Sequence, residues 1–204
     1  MTVLEICSSL TEPEMEDRIA PLQNCISRIV NHSYTHRARL LMPLINVDTS
    51  GLAISFVPAT GEALDRNSPR KAEDDLYTYH HLRRDIYQMV TDMGIEAKSR
   101  YVTPSAHITI ARFMTNDDFL SKSSRGKDDA QRENLCLDSG RVQALVARVE
   151  QLNTWLKDEY WPRDTSGKAK GAGEWYVGEE NGLVFVKGLA WYGKGTEVMA
   201  GRAF

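Results

Sequence analysis

Cysteine is scarce in this sequence: Cys7, Cys25 and Cys136 are the three in 204 residues, and none forms a C-x-x-C pair. Their odd number argues against a disulfide framework and predicts free thiols in a reducing compartment. Long apolar runs are also missing. None approaches the roughly 18 residues of a membrane helix, and the first residues lack the basic-then-apolar layout of a secretory leader. The expectation is a cytoplasmic or nuclear protein with no membrane partner. A basic excess is absent too, with 25 Lys and Arg against 28 Asp and Glu, a net charge of -3. That excludes holding long duplex DNA mainly by charge, while leaving a small nucleotide or an RNA end open as partner. The glycine-lysine stretch Gly167-Lys168-Ala169-Lys170-Gly171 lacks the Walker spacing and reads as a solvated loop.

What is present suits one domain over 1–204, simple or built of two similar lobes, with 42% hydrophobic residues to fill a core. Thr2 to Ile6 reads as a strand. Thr11 to Glu14 has capping-box spacing, and Met15, Ile19, Leu22, Ile26 and Ile29 recur at helical spacing to about Val30. Two apolar runs, Arg39 to Val47 and Leu52 to Val57, read as paired strands, with Pro43 marking an edge or bulge in the first. A second helix carries Leu76, Tyr79, Ile86, Val90 and Met93 on one face and stops at Gly94. Val142, Leu145, Val146, Val149, Leu152 and Leu156 mark a third helix. The stretches 115–139 and 162–173 are expected to be mobile loops. Three short strands are expected around Trp175 to Val177, Leu183 to Val186 and Ala190 to Tyr192. Without a regular βαβ beat, the fold class is α+β with antiparallel sheet.

The chemistry concentrates in Pro104-Ser105-Ala106-His107-Ile108-Thr109-Ile110-Ala111-Arg112-Phe113. Alternation predicts a strand with His107, Thr109 and Ala111 on one face and Ile108 and Ile110 on the other. A histidine and a hydroxyl two positions apart on one face can grip a phosphate, the imidazole moving a proton and the threonine donating a hydrogen bond. Arg112 falls on the far face of a regular strand. His32 and His36, four apart, have metal-ligand spacing but no third ligand nearby in sequence, and read as a helix end. His80 and His81 are adjacent on a helix and cannot face each other; packing or surface is their expected role.

Met1-Thr2-Val3 echoes Ile108-Thr109-Ile110, and in that register the position matching His107 precedes Met1. The stretch around His107-Ile108-Thr109 resembles the second H-x-T motif of the two-histidine (2H) phosphoesterase superfamily. It is most similar to the fungal branch described as RNA ligase/cyclic nucleotide phosphodiesterase-like. Thr35 to Leu40, Leu52 to Glu62, Tyr79 to Asp85 and Gly188 to Gly193 resemble that branch as well.

The resemblance implies a two-lobed, duplicated fold, with antiparallel sheets lining a central cleft and helices outside. It implies hydrolysis of cyclic phosphodiesters of nucleotides or RNA ends, with no metal or other cofactor. His107 and Thr109 are then catalytic, and Thr2 holds phosphate as the tail of a first motif, on a truncated strand, whose histidine is not in the sequence. Trp191 and Tyr192 are candidates for stacking a base, and Tyr101 is a weaker substrate contact. With one histidine of the pair absent, the expectation is impaired turnover; the alternative is a non-catalytic module that holds a nucleotide or RNA end.

Overall fold

The computed structural model describes residues 1–62, 64, 70–97, 105–122, 135–162, 173–188, 193 and 195–204. Tyr101, Trp191 and Tyr192 lie outside them, as does most of 162–173. The described residues form an α+β structure with antiparallel sheets.

The main sheet has four strands in the order β3-β2-β1-β6: β1 Arg39–Val47, β2 Gly51–Pro58, β3 Ala106–Arg112 and β6 Trp175–Tyr176. Its β1–β2 hairpin closes on Asp48, whose Oδ1 accepts from Ser50 N, Ser50 Oγ and Gly51 N at 2.7, 2.6 and 3.0 Å. An aspartate that satisfies the turn's own donors is what lets so short a connection form. The expected irregularity at Pro43 is present, since the β1–β2 register slips between Leu41 and Leu44 and Met42 adopts φ 57°. Proline has no N–H to give the ladder, so the strand bulges there instead of pairing through it. On its other side β1 pairs with β6 at Arg39 and Leu40. Beyond that point α5, Ser139–Tyr160, covers the bare edge: Asn153 accepts from Ile45 N at 2.7 Å and donates to Ile45 O at 2.9 Å. Trp161 Nε1 donates to Pro43 O at 3.1 Å.

The long N-terminal helix expected from spacing is broken. It runs as α1 Glu12–Ile19, a 3₁₀ turn Ala20–Leu22, α2 Ile26–Val30 and α3 His32–Thr35. Pro21 is the cause, because it lacks a donor and its ring crowds the carbonyl four residues back. The apolar face survives the break, with Leu22, Ile26 and Val30 buried. Against it lies α4, Tyr79–Thr91, through Tyr79, Leu82, Ile86 and Val90. Leu76 and Met93 do not join that face, being 74% and 40% exposed. The helix starts at the Thr78 cap, after Leu76, and ends in a turn at Gly94, φ 76°.

Thr2 to Ile6 makes no ladder, contrary to the strand expected there. Its apolar side chains Val3, Leu4 and Ile6 pack on the core, and that burial accounts for the pattern that mimics a strand. Within 115–139 the described residues form a 3₁₀ turn, Asp117–Phe119, and a hairpin of β4 Leu120–Lys122 and β5 Leu135–Leu137. The tail gives β6 and β7 Val184–Lys187 where expected, and β7 pairs with β8 Thr196–Ala200; the strand expected at Ala190 to Tyr192 lies outside the described residues.

Candidate functional site

The β2–β3 register fixes which side chains share a face. His107 pairs with Ser55, Thr109 with Ala53, Ala111 with Leu52 and Arg112 with Gly51. Partners in an antiparallel pair share a face, and alternate residues of β2 do so as well. His107 and Thr109 therefore lie together, as the alternation predicts. Between Thr109 and Ala111 the register slips by one and Ile110 is the extra residue. This bulge reverses the alternation after it. Ala111 moves to the far face and Arg112 comes round to the face of His107 and Thr109, the reverse of what a regular strand gives.

Gly51 makes that arrangement possible. A Cβ on Gly51 would stand 2.1 Å from Ala111 O and 2.9 Å from Arg112 Cα, so β3 approaches as closely as it does only against glycine. The opposite face carries Ala106, which is buried, and Phe56, which packs on the core. The His107 face is open to solvent at Thr109 and Asn46, and partly so at His107, Ser55 and Arg112.

His107 Nδ1 lies 3.2 Å from Ser105 O and 3.5 Å from Ser105 Oγ. The nearer partner is a carbonyl, which only accepts, so this contact favours the tautomer protonated at Nδ1. Nε2 is left with its lone pair for a ligand. One strand away, Asn46 Nδ2 donates to Ser55 Oγ at 2.6 Å. Below the bulge, hydrogen bonds from Ser50 hold the Asp48 carboxyl below its usual range, and the Arg112 charge adds to the effect.

Thr2 is placed by Tyr79, whose hydroxyl donates to Thr2 O at 3.1 Å, and it lies on no strand. His80 is exposed. His81 is the acceptor of the α4 cap: Thr78 N–H donates to its Nδ1 at 3.1 Å.

A second polar cluster escaped the sequence reading. His32 Nε2 lies 3.0 Å from Tyr77 Oη, and that hydroxyl donates to Asp85 Oδ2 at 2.9 Å. Since the phenol proton goes to the carboxylate, His32 Nε2–H is the donor to Tyr77. The His36 ring stacks on His32 at 4.2 Å, and Arg84 pairs with the other Asp85 oxygen at 2.7 Å. Burial, then the neighbouring His36, push His32 below the usual histidine range against the opposing pull of Asp85. Burial, reinforced by the Asp85 carboxylate, pushes the Tyr77 phenol well up. The one sequence signal was the i, i+4 spacing of His32 and His36; Tyr77 and Asp85 reach them only through the packing of α3 on α4. Among the described residues no group of three His, Cys, Asp or Glu side chains is arranged to hold a metal ion.

A buried ion pair underlies the sheet. The side chains of Arg39 and Asp75 are 0% and 1% exposed, and Arg39 Nε donates to both Asp75 oxygens at 3.2 Å. Arg70 Nε and Gly61 N add donors to the same carboxylate at 2.9 and 3.0 Å. Burial alone would raise the Asp75 carboxyl, but the hydrogen bonds and charges of Arg39 and Arg70 outweigh it and hold the group low.

No family model matches the chain, and no curated protein or solved structure shows significant similarity to it. Among the described residues no helix is long and apolar enough to cross a membrane.

Proposed function

We propose that this protein is a phosphodiesterase-like protein of the 2H type, acting on cyclic phosphodiesters of nucleotides or RNA ends. The observation that carries the reading is one sheet face bearing His107 with a free Nε2, the Thr109 hydroxyl and the Arg112 guanidinium. Those three groups supply a base, a neutral donor and a cation to one phosphate. In this reading His107 Nε2 takes a proton from the attacking water as its oxygen bonds to phosphorus. The bond from phosphorus to one ribose oxygen then breaks, and the departing alkoxide takes a proton from an acid on the opposite side or from solvent. Thr109 and Arg112 carry the charge that gathers on the non-bridging oxygens. The two-lobed fold, with Thr2 brought to the same phosphate, belongs to the same proposal.

Thr2 is not on a strand. That favours a second reading, a module that holds the nucleotide or RNA end with little turnover. A positioned acid or base typically contributes about 10²- to 10⁴-fold to rate. The test is hydrolysis of a 2′,3′-cyclic mononucleotide in chelator, alongside its binding measured by calorimetry. Turnover that His107→Ala reduces at least 100-fold supports the enzyme. Binding without turnover, weakened by His107→Ala, supports the module. Neither turnover nor binding defeats both.

A further inference from the structure

We infer that Ser55 and Asn46 form a hydroxyl-recognising subsite beside His107, so that this face selects a phosphodiester on a sugar or other polyol. The inference rests on the proposed phosphate site at His107, Thr109 and Arg112. Cross-strand pairing sets Ser55 beside His107, and Asn46 pairs with Ala53, the partner of Thr109. All five therefore lie on one face. Strands are spaced about 4.8 Å apart, so Ser55 stands about 5 Å from the β3 row and Asn46 about 10 Å. That is the reach from a phosphorus atom across an attached sugar ring. Between them Ala53 and Gly51 carry almost no side chain, which leaves the floor low where the ring would lie.

The hydrogen-bond accounting supports recognition of a hydroxyl rather than an anion. Ser55 Oγ accepts from Asn46 Nδ2 at 2.6 Å, so its own proton is free to be donated. Asn46 keeps its carbonyl oxygen as an acceptor, and the residue is exposed. A free donor beside a free acceptor suits a group that both gives and takes, as a ribose hydroxyl does. No positive charge belongs to this pair, which sets it apart from the phosphate-binding groups on β3. Asn46 also orients the Ser55 hydroxyl, so the two act as a unit.

The test uses the full chain and calorimetric titration with two ligands, 2′,3′-cyclic CMP and cyclic ethylene phosphate, which has the ring phosphodiester but no sugar. Ser55→Ala and Asn46→Ala are each expected to weaken the cyclic nucleotide about 5- to 10-fold, in line with one hydrogen bond. Their double variant should be little worse than either, and ethylene phosphate binding should not change. His107→Ala should weaken both ligands. If His107→Ala weakens both while the Ser55 and Asn46 variants, shown to be folded by circular dichroism, bind the nucleotide normally, the subsite is refuted and the phosphate site stands. An equal loss for both ligands in Ser55→Ala would put Ser55 in the phosphate cradle and also refute it. If wild type binds neither ligand, the phosphate site falls and takes the subsite with it.

Discussion

His32 and Tyr77, 45 positions apart in the chain, share a 3.0 Å hydrogen bond in which the imidazole is the donor and the phenol relays its own proton to Asp85. The bond ties the short helix α3 to the start of α4, two residues before the tyrosine that holds Thr2. It also makes stability depend on pH in a defined direction. His32 titrates lower in the folded chain than its ordinary value of 6.5, because burial and His36 oppose its charge. Folding therefore favours the neutral ring. That support is complete above pH about 6.5 and is lost as pH falls towards and through the lower folded value. Denaturant midpoints measured from pH 7.5 to 5 should fall, and His32→Gln should flatten that fall. An unchanged slope in His32→Gln would assign the acid sensitivity elsewhere.

Removing the relay itself is the second prediction. Tyr77→Phe keeps the ring and deletes the hydroxyl, leaving His32 Nε2–H only its longer 3.5 Å contact with Asp85 Oδ2 and taking one donor from that carboxylate. The expected cost is about 1–3 kcal/mol, the range for an unpaired, partly buried polar group. Urea unfolding at pH 7.5 measures it. A cost below about 0.5 kcal/mol would mean that water replaces the phenol at no loss.

The pair Arg39–Asp75 should be far less forgiving. Asp75→Asn leaves a fully buried guanidinium facing an amide, and removing one partner of a buried pair typically costs about 3–5 kcal/mol. The same change should make acid unfolding shallower, because Asp75, whose carboxyl is held low, stabilises the fold above its unfolded value and stops doing so as pH falls through the folded one. Equilibrium unfolding at pH 7 and pH 3 separates the two effects.

Gly51→Ala tests the close approach that sets Arg112. The new Cβ would lie 2.1 Å from Ala111 O, and backbone has little room to yield. A loss of about 1–3 kcal/mol is expected, as for other overpacked sites. Amide exchange should accelerate at Ala111 to Phe113 and stay unchanged at Ala106 to Ile108. Phosphate affinity should fall with it if Arg112 is a phosphate ligand.

Much of the architecture was legible in the sequence where pattern and turn chemistry agree. The β1–β2 hairpin followed from two apolar runs flanking Asp48-Thr49-Ser50-Gly51, and Pro43 signalled the bulge in β1 because a missing donor leaves a local mark. The His107 strand was legible for the same reason, and so was its sharing of a face with Thr109. What failed was the part that depends on counting. A single extra residue at Ile110 reassigns Ala111 and Arg112, and nothing in Ile-Thr-Ile-Ala-Arg announces it; the cue is Gly51, on another strand. Pro21 did carry a warning about the helix, yet the apolar spacing ran straight through it because the broken helix keeps its buried face. Thr2 to Ile6 looked like a strand because a short apolar run can pack on the core without a ladder, as Val3, Leu4 and Ile6 do. The His32, Tyr77 and Asp85 cluster was out of reach, since its members come from three segments that only packing brings together.

The bulge in β3 has one more consequence, for the company the protein keeps. Among the described residues β3 is the outermost strand of its sheet, and a flat outermost strand is a template on which another copy can build. The kink at Ile110 spoils that template with a twist just where the side chain is 57% exposed and otherwise inviting to another chain. The irregularity that brings Arg112 onto the face of His107 thus also interrupts that template, so that straightening the strand would undo both at once.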